Sequence, residues 1–109
     1  MNMKQRKKFI QILQKISVEV LGYRIKESNG IDGVRGKFIF TSIDGVPFTD
    51  INSGNMLLSD AAAVIVRESY ETFEDVPHDD KNYIEYMPII ELLNLIMRGN
   101  PHLLDNFNI

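Results

Sequence analysis

Lys37-Phe38-Ile39-Phe40-Thr41-Ser42-Ile43-Asp44-Gly45-Val46-Pro47-Phe48-Thr49 is the stretch on which the fold turns. Residues 37–43 are rich in aromatic and β-branched side chains, which suit a pleated, half-buried surface, so they predict a central strand. Asp44-Gly45 follows as a tight-turn pair, because glycine takes the positive φ that a two-residue hairpin needs. Residues 46–49 then return beside the first run. Pro47 has no backbone N–H to give to a ladder, so this third strand belongs at an edge of the sheet.

On the N-terminal side, Tyr23-Arg24-Ile25-Lys26 alternates with period two and predicts a first strand with one wet face. Asn29-Gly30 and Asp32-Gly33 mark the turn between it and the central strand. The expected product is a three-stranded antiparallel meander. Upstream, Phe9, Ile12, Leu13, Ile16 and Val20 recur at helical spacing across residues 4–21, with Lys4, Lys7, Lys8, Gln11 and Lys15 on the opposite arc. That is an amphipathic helix with a basic back, ended by Gly22.

Downstream of the meander, residues 52–55 (Asn-Ser-Gly-Asn) read as a loop, and Ser59 or Asp60 as the N-cap of a helix reaching Phe73. Leu58, Ala62, Ile65, Val66, Tyr70 and Phe73 share its apolar arc, while Asp60, Arg67, Glu68, Glu71, Glu74 and Asp75 make its back acidic. Residues 76–82 read as a polar connector. A last helix is expected from Pro88, a residue suited to a first helical turn, to Arg98, where Gly99 and Pro101 stop it. Only Glu91, Asn94 and Arg98 form a polar stripe on it, so burial on most sides is expected, in the core or partly against another chain. The tail keeps Leu103, Leu104, Phe107 and Ile109 and is expected to pack down. The fold class is therefore α+β, in the order α-β-β-β-α-α over residues 1–109 as one domain, with the first two helices on one face of the meander and the third filling the core.

Composition narrows the function classes. With 44% apolar and 25% charged residues the chain matches a globular domain, and neither disorder nor a fibrous class is favoured. There is no cysteine, so disulfides, thiol catalysis and thiolate metal sites are excluded and a reducing, cytoplasmic compartment is expected. The longest apolar run, residues 61–66, falls far short of the roughly 20 residues that span a bilayer. The basic start is followed by Gln11, Gln14 and Lys15 rather than by the uninterrupted apolar core of a secretory signal.

Charge is the strongest signal. Residues 1–40 carry nine Lys/Arg against Glu19, Glu27 and Asp32, a net of +6, and residues 41–109 carry three against twelve Asp/Glu, a net of -9. Such segregation steers partners and encodes no reaction. Glu68, Glu71, Glu74, Asp75, Asp79, Asp80 and Glu85 form the dense part of the acidic half, with Val64 expected among them as an apolar spot. An apolar centre inside a charged rim is the form of a recognition surface for a basic protein. Tyr83, Ile84, Tyr86 and Met87 add aromatic and thioether area next to it, which makes residues 74–87 the preferred contact region; the alternative for these side chains is the core.

Other chemistries are poorly supported. His78 beside Asp79 and Asp80 has the residue types of a metal or proton-transfer pair, but His102 is the only second imidazole, so no metal and no cofactor is expected. No serine sits in a G-x-S-x-G elbow, and Gly30, Gly33 and Gly36 precede a strand rather than the helix a phosphate loop needs. The leading expectation is a non-enzymatic module that occludes a basic partner, of toxin-immunity or small-inhibitor type. The alternative is a nucleic-acid accessory protein using Lys4, Arg6, Lys7, Lys8 and Lys15, against which stands the lack of an aromatic on that helix face to stack a base. Head-to-tail self-association through the two charged halves is a third reading.

Overall fold

The computed structural model describes residues 2–28, 37–49 and 56–106. The turn expected around residues 29–33, the loop at 52–55, and Phe107 and Ile109 lie outside them.

Helix α1 spans Met3–Ile16. Asn2 opens it with a capping box: its side chain accepts the Gln5 N–H at 2.9 Å, and the Gln5 side chain accepts the Asn2 N–H at 3.1 Å. Phe9, Ile12, Leu13 and Ile16 are buried, as the periodicity requires. Beyond Ile16 the expected α-helix gives way to a π-helix, Ser17–Leu21. The reason lies in buried Ser17, whose carbonyl takes the Tyr23 N–H at 3.2 Å while its hydroxyl donates to the Tyr23 carbonyl at 2.7 Å. The last turn thus closes over Ser17 in a wider loop, and Gly22 at φ +80° ends it.

Strand β1 (Arg24–Ser28) pairs antiparallel with β2 (Lys37–Thr41), setting Ile25 opposite Phe40 and Lys26 opposite Ile39. Alternation sends Ile25, Phe38 and Phe40 toward the helices and Arg24 and Lys26 to the other face. The turn after β2 forms at Asp44-Gly45 but with a three-residue loop, 43–45: Ser42 N–H reaches the Val46 carbonyl at 2.9 Å, Gly45 N–H reaches the Ser42 carbonyl at 2.9 Å, and Gly45 has φ +89°. The returning segment, however, gives only a bridge between Thr41 and Pro47 and a bond from Phe48 N–H to the Phe40 carbonyl at 3.0 Å. Regular pairing resumes at β3, Met56–Leu57, opposite Phe38 and Lys37. The third strand is therefore divided. Residues 46–48 meet β2 only at the Thr41–Pro47 bridge, in which the bonds come from Val46 and Phe48 and the position of the missing Pro47 N–H faces away from β2, as suits an edge. The regular strand is formed by residues 56–57. The sheet order is β1-β2-β3.

Helix α2 spans Leu58–Glu74 and starts straight out of β3, with Leu57 in the cap position and no side-chain cap bond. Its start is set by strand pairing and not by Ser59 or Asp60. Buried Ala61, Ala62, Ile65, Val66 and Phe73 lay it against the sheet and α1. Helix α3 spans Lys81–Met97, so the connector is shorter than expected and Pro88 sits inside the helix. Proline lacks the N–H that would serve the carbonyl four residues back, but Ile84 is exposed and water can take that carbonyl. Buried Tyr86 and half-buried Tyr83 pull the first turns onto the core and carry the helix through the proline.

Helices α1 and α2 both flank one face of the sheet. α3 packs on α2, α1 and the tail, so it extends the core between helices rather than filling it against strands. Ile89, Ile90, Leu93 and Ile96 are buried there, while Ile84 and Leu95 face solvent, which leaves one side of this apolar helix open. Gly99 at φ +97° turns the chain into a 3₁₀ segment, Pro101–Asn106. The segment returns to α1: Leu104 is fully buried, Lys8 Nζ donates to the Leu104 carbonyl at 2.9 Å, and Gln5 Nε2 donates to Asp105 at 3.1 Å. Among the described residues no helix is long and apolar enough to cross a membrane.

Candidate functional site

The outer face of α2 and the residues joining it to α3 carry the acidic set. Glu71, Glu74, Asp75, Asp79, Asp80 and Glu85 are exposed. Glu85 is paired with Lys81 at 3.9 Å, one helical turn away. Among the described residues Glu71, Glu74, Asp75 and Asp79 form no ion pair. Carboxylates without an ion pair among the described residues project a negative field into solvent.

Two members of the expected site have other partners. Glu68 is half-buried and accepts a hydrogen bond from the Tyr23 hydroxyl, and Val64 is half-buried against the core. Tyr23 stands edge-on to Phe40 and Phe48, with ring centroids 5.3 and 5.8 Å away, so Glu68 is tied to the sheet through a packed aromatic group. A shallow depression lined by Val20, Tyr23, Glu68, Glu71 and Asp75 lies beside it.

Burial, and then the bond to the Glu68 carboxylate, hold the Tyr23 phenol far above the ordinary tyrosine value. Tyr70 is raised as well, by burial and then by Glu91. A proton held more tightly in the folded than in the unfolded chain adds stability that is complete below about pH 10 and is lost as pH rises beyond it. Tyr23→Phe is therefore expected to flatten the alkaline decline. Urea denaturation between pH 9 and 11 checks this, and parallel declines in parent and variant would show that another group governs it.

The connector is held by packing that sequence reading missed. The His78 ring stacks on Tyr83 with centroids 4.7 Å apart and planes 12° from parallel, and Tyr83 meets Phe73 edge-on at 6.0 Å. The i,i+5 spacing of His78 and Tyr83, across the start of α3, was the available signal. Among the described residues no three His, Asp or Glu side chains converge as metal ligands would. Tyr86 is buried with its hydroxyl donating to Glu19, and Tyr83 and Met87 are half-buried, so of the expected apolar contact group only Ile84 reaches solvent freely. A core role, the other reading of these side chains, accounts for the rest.

The basic alternative is divided. Lys4 and Lys7 are exposed, whereas Arg6 pairs with Glu27 at 3.2 Å and lies 5.8 Å from the Phe38 ring centre. Lys8 is committed to the Leu104 carbonyl, and Lys15 is half-buried. Arg24 and Lys26, absent from the expected set, are exposed on β1. No family model matches this chain, and neither the curated proteins nor the solved structures show a match to it.

Proposed function

We propose that this protein is a non-enzymatic, cytoplasmic binding module that occludes a basic surface on another protein, in the manner of a toxin-immunity protein or a small inhibitor. The observation that carries this reading is the group of exposed carboxylates Glu71, Glu74, Asp75 and Asp79, without an ion pair among the described residues and set on a helix and a connector that aromatic packing holds in place. Long-range attraction brings a basic partner to this face, and the rigid support limits the entropy lost on docking. Steric cover of the partner's site is then the whole mechanism, with no bond made or broken. Val64 and Glu68 contribute at its margin, through the part of each side chain that reaches solvent. The nucleic-acid reading is weaker, since Arg6 and Lys8 already serve the fold.

Co-purification from the native host identifies the partner. With the partner in hand, neutralising Glu71, Glu74, Asp79 and Asp80 together to Gln and Asn is expected to slow association about 10- to 100-fold at low salt and to flatten its salt dependence. Dissociation should change less. Unchanged binding by the fourfold variant would sink the acidic-face reading, and retention on heparin that disappears with Lys4→Gln and Lys7→Gln would favour the basic one.

A further inference from the structure

The sheet order leaves β1 at an edge, and one backbone detail shows what that edge offers. The Phe40 carbonyl accepts from Phe48 on the β3 side of β2, so the Ile25–Phe40 pair is a non-hydrogen-bonded one in the β1–β2 ladder. Ile25 therefore turns its carbonyl outward. Its partner there is the Gln14 side chain, at 3.5 Å, the outer limit of a hydrogen bond. An exposed side chain at that distance is readily displaced by a strand N–H.

Two depressions run along the same edge and meet at Gln14. The larger, about 610 Å³, lies between α1 and Glu27 and includes Met3 and Ile10; the other includes Val18 and Ile25. Met3 is 79% and Val18 41% exposed, so apolar side chains line a groove open to water. Lys4 and Lys7 border its α1 end, and Arg24 and Lys26 its β1 end, all exposed. A strand edge beside a helix, with alternate apolar footholds, is the setting in which extended peptides add to a sheet.

We propose that the β1 edge and its groove with α1 bind an extended acidic peptide of a partner protein by strand addition. Charge complementarity selects the occupant: the exposed rim is cationic, and among the described lining residues the one carboxylate, Glu27, is paired with Arg6 at 3.2 Å. Alternate peptide side chains enter the groove over Met3, Ile10 and Val18, the acidic ones between them face Arg24 and Lys26 on the other side of the sheet, and Lys4 and Lys7 attract the peptide from the α1 side. This surface uses different elements from the acidic face of α2, so either can fail without the other.

A fluorescein-labelled heptapeptide of alternating glutamate and valine, titrated with the full chain at low salt and followed by anisotropy, tests the proposal. It is expected to bind at least about tenfold more tightly than its lysine–valine counterpart and to lose about tenfold with Lys7→Glu plus Lys26→Glu, a variant whose fold circular dichroism verifies. Methylating one alternate set of peptide amide nitrogens should abolish binding, while methylating the other should leave it within about twofold, because only one set faces β1. Equal effects of the two methylation patterns would overturn strand addition. So would the absence of peptide binding, which leaves Lys26 as an edge charge that merely blocks pairing, or preferential binding of oligothymidylate, which assigns the cations to a nucleic acid.

Discussion

Phe40→Ala is expected to lower stability by about 3–5 kcal/mol, a large part of the roughly 5–15 kcal/mol that holds an ordinary domain together. Phe40 is wholly buried, stands opposite Ile25 and meets the Tyr23 ring edge-on at 5.3 Å and 88°. Its strand is central, paired with β1 on one side and with β3 and Phe48 on the other, so the backbone cannot close over the void. The lost apolar contact and the residual cavity therefore both count. Ile39→Ala, one residue away on the opposite face and half-buried, is expected to cost under about 1.5 kcal/mol. Urea denaturation with a common m-value compares the two; equal losses would contradict the facing assigned to β2.

Leu104→Ala is expected to cost about 2–5 kcal/mol although it lies in a short 3₁₀ segment near the end of the chain. The side chain is fully buried, and its carbonyl is the acceptor for Lys8 on α1. Loss of the side chain should loosen the segment and with it the Gln5–Asp105 bond. Asp105→Asn, which keeps the shape and weakens only a partly exposed hydrogen bond, is expected to cost under about 1 kcal/mol. Thermal unfolding gives the ranking, and amide exchange in the first turns of α1 reports the loosening. A Leu104→Ala variant as stable as the parent would mean that the segment packs on the surface only.

Both sites were partly legible in the sequence. Phe38 and Phe40 read only as members of a central strand, because an uninterrupted run of β-formers does not say which of its faces is buried. Leu104 read only as a residue that packs down, since a short apolar tail carries no periodicity to say against what. The same distinction separates the hairpin from its third strand. Asp44-Gly45 specified the turn locally, whereas the position of β3 depends on which later residues reach the Lys37–Phe38 end of β2, and Met56 and Leu57 do so from 18 or more residues away.

Helix α3 shows the competing rule. Proline favours a first helical turn, so residue 88 read as a start; aromatic packing of Tyr83 and Tyr86 outweighed that preference and moved the start to Lys81. The candidate site divides similarly. Exposure of Glu71, Glu74 and Asp75 followed from the helical arc of α2, because side chains opposite an apolar stripe face solvent. That Glu68 belongs to Tyr23, Arg6 to Glu27 and Lys8 to a tail carbonyl could not be read, since each partner lies 21 or more residues away.

Local periodicity and turn chemistry were enough for the element types, their order, the α+β class and the separation of positive and negative charge along the chain, all of which depend on neighbours within a few residues. Which charges form ion pairs, where the third strand joins the sheet, how His78 stacks on Tyr83 and that β1 is the edge strand among the described residues were settled only by three-dimensional packing. Each of these depends on contacts between segments distant in sequence, whose energies no local pattern records.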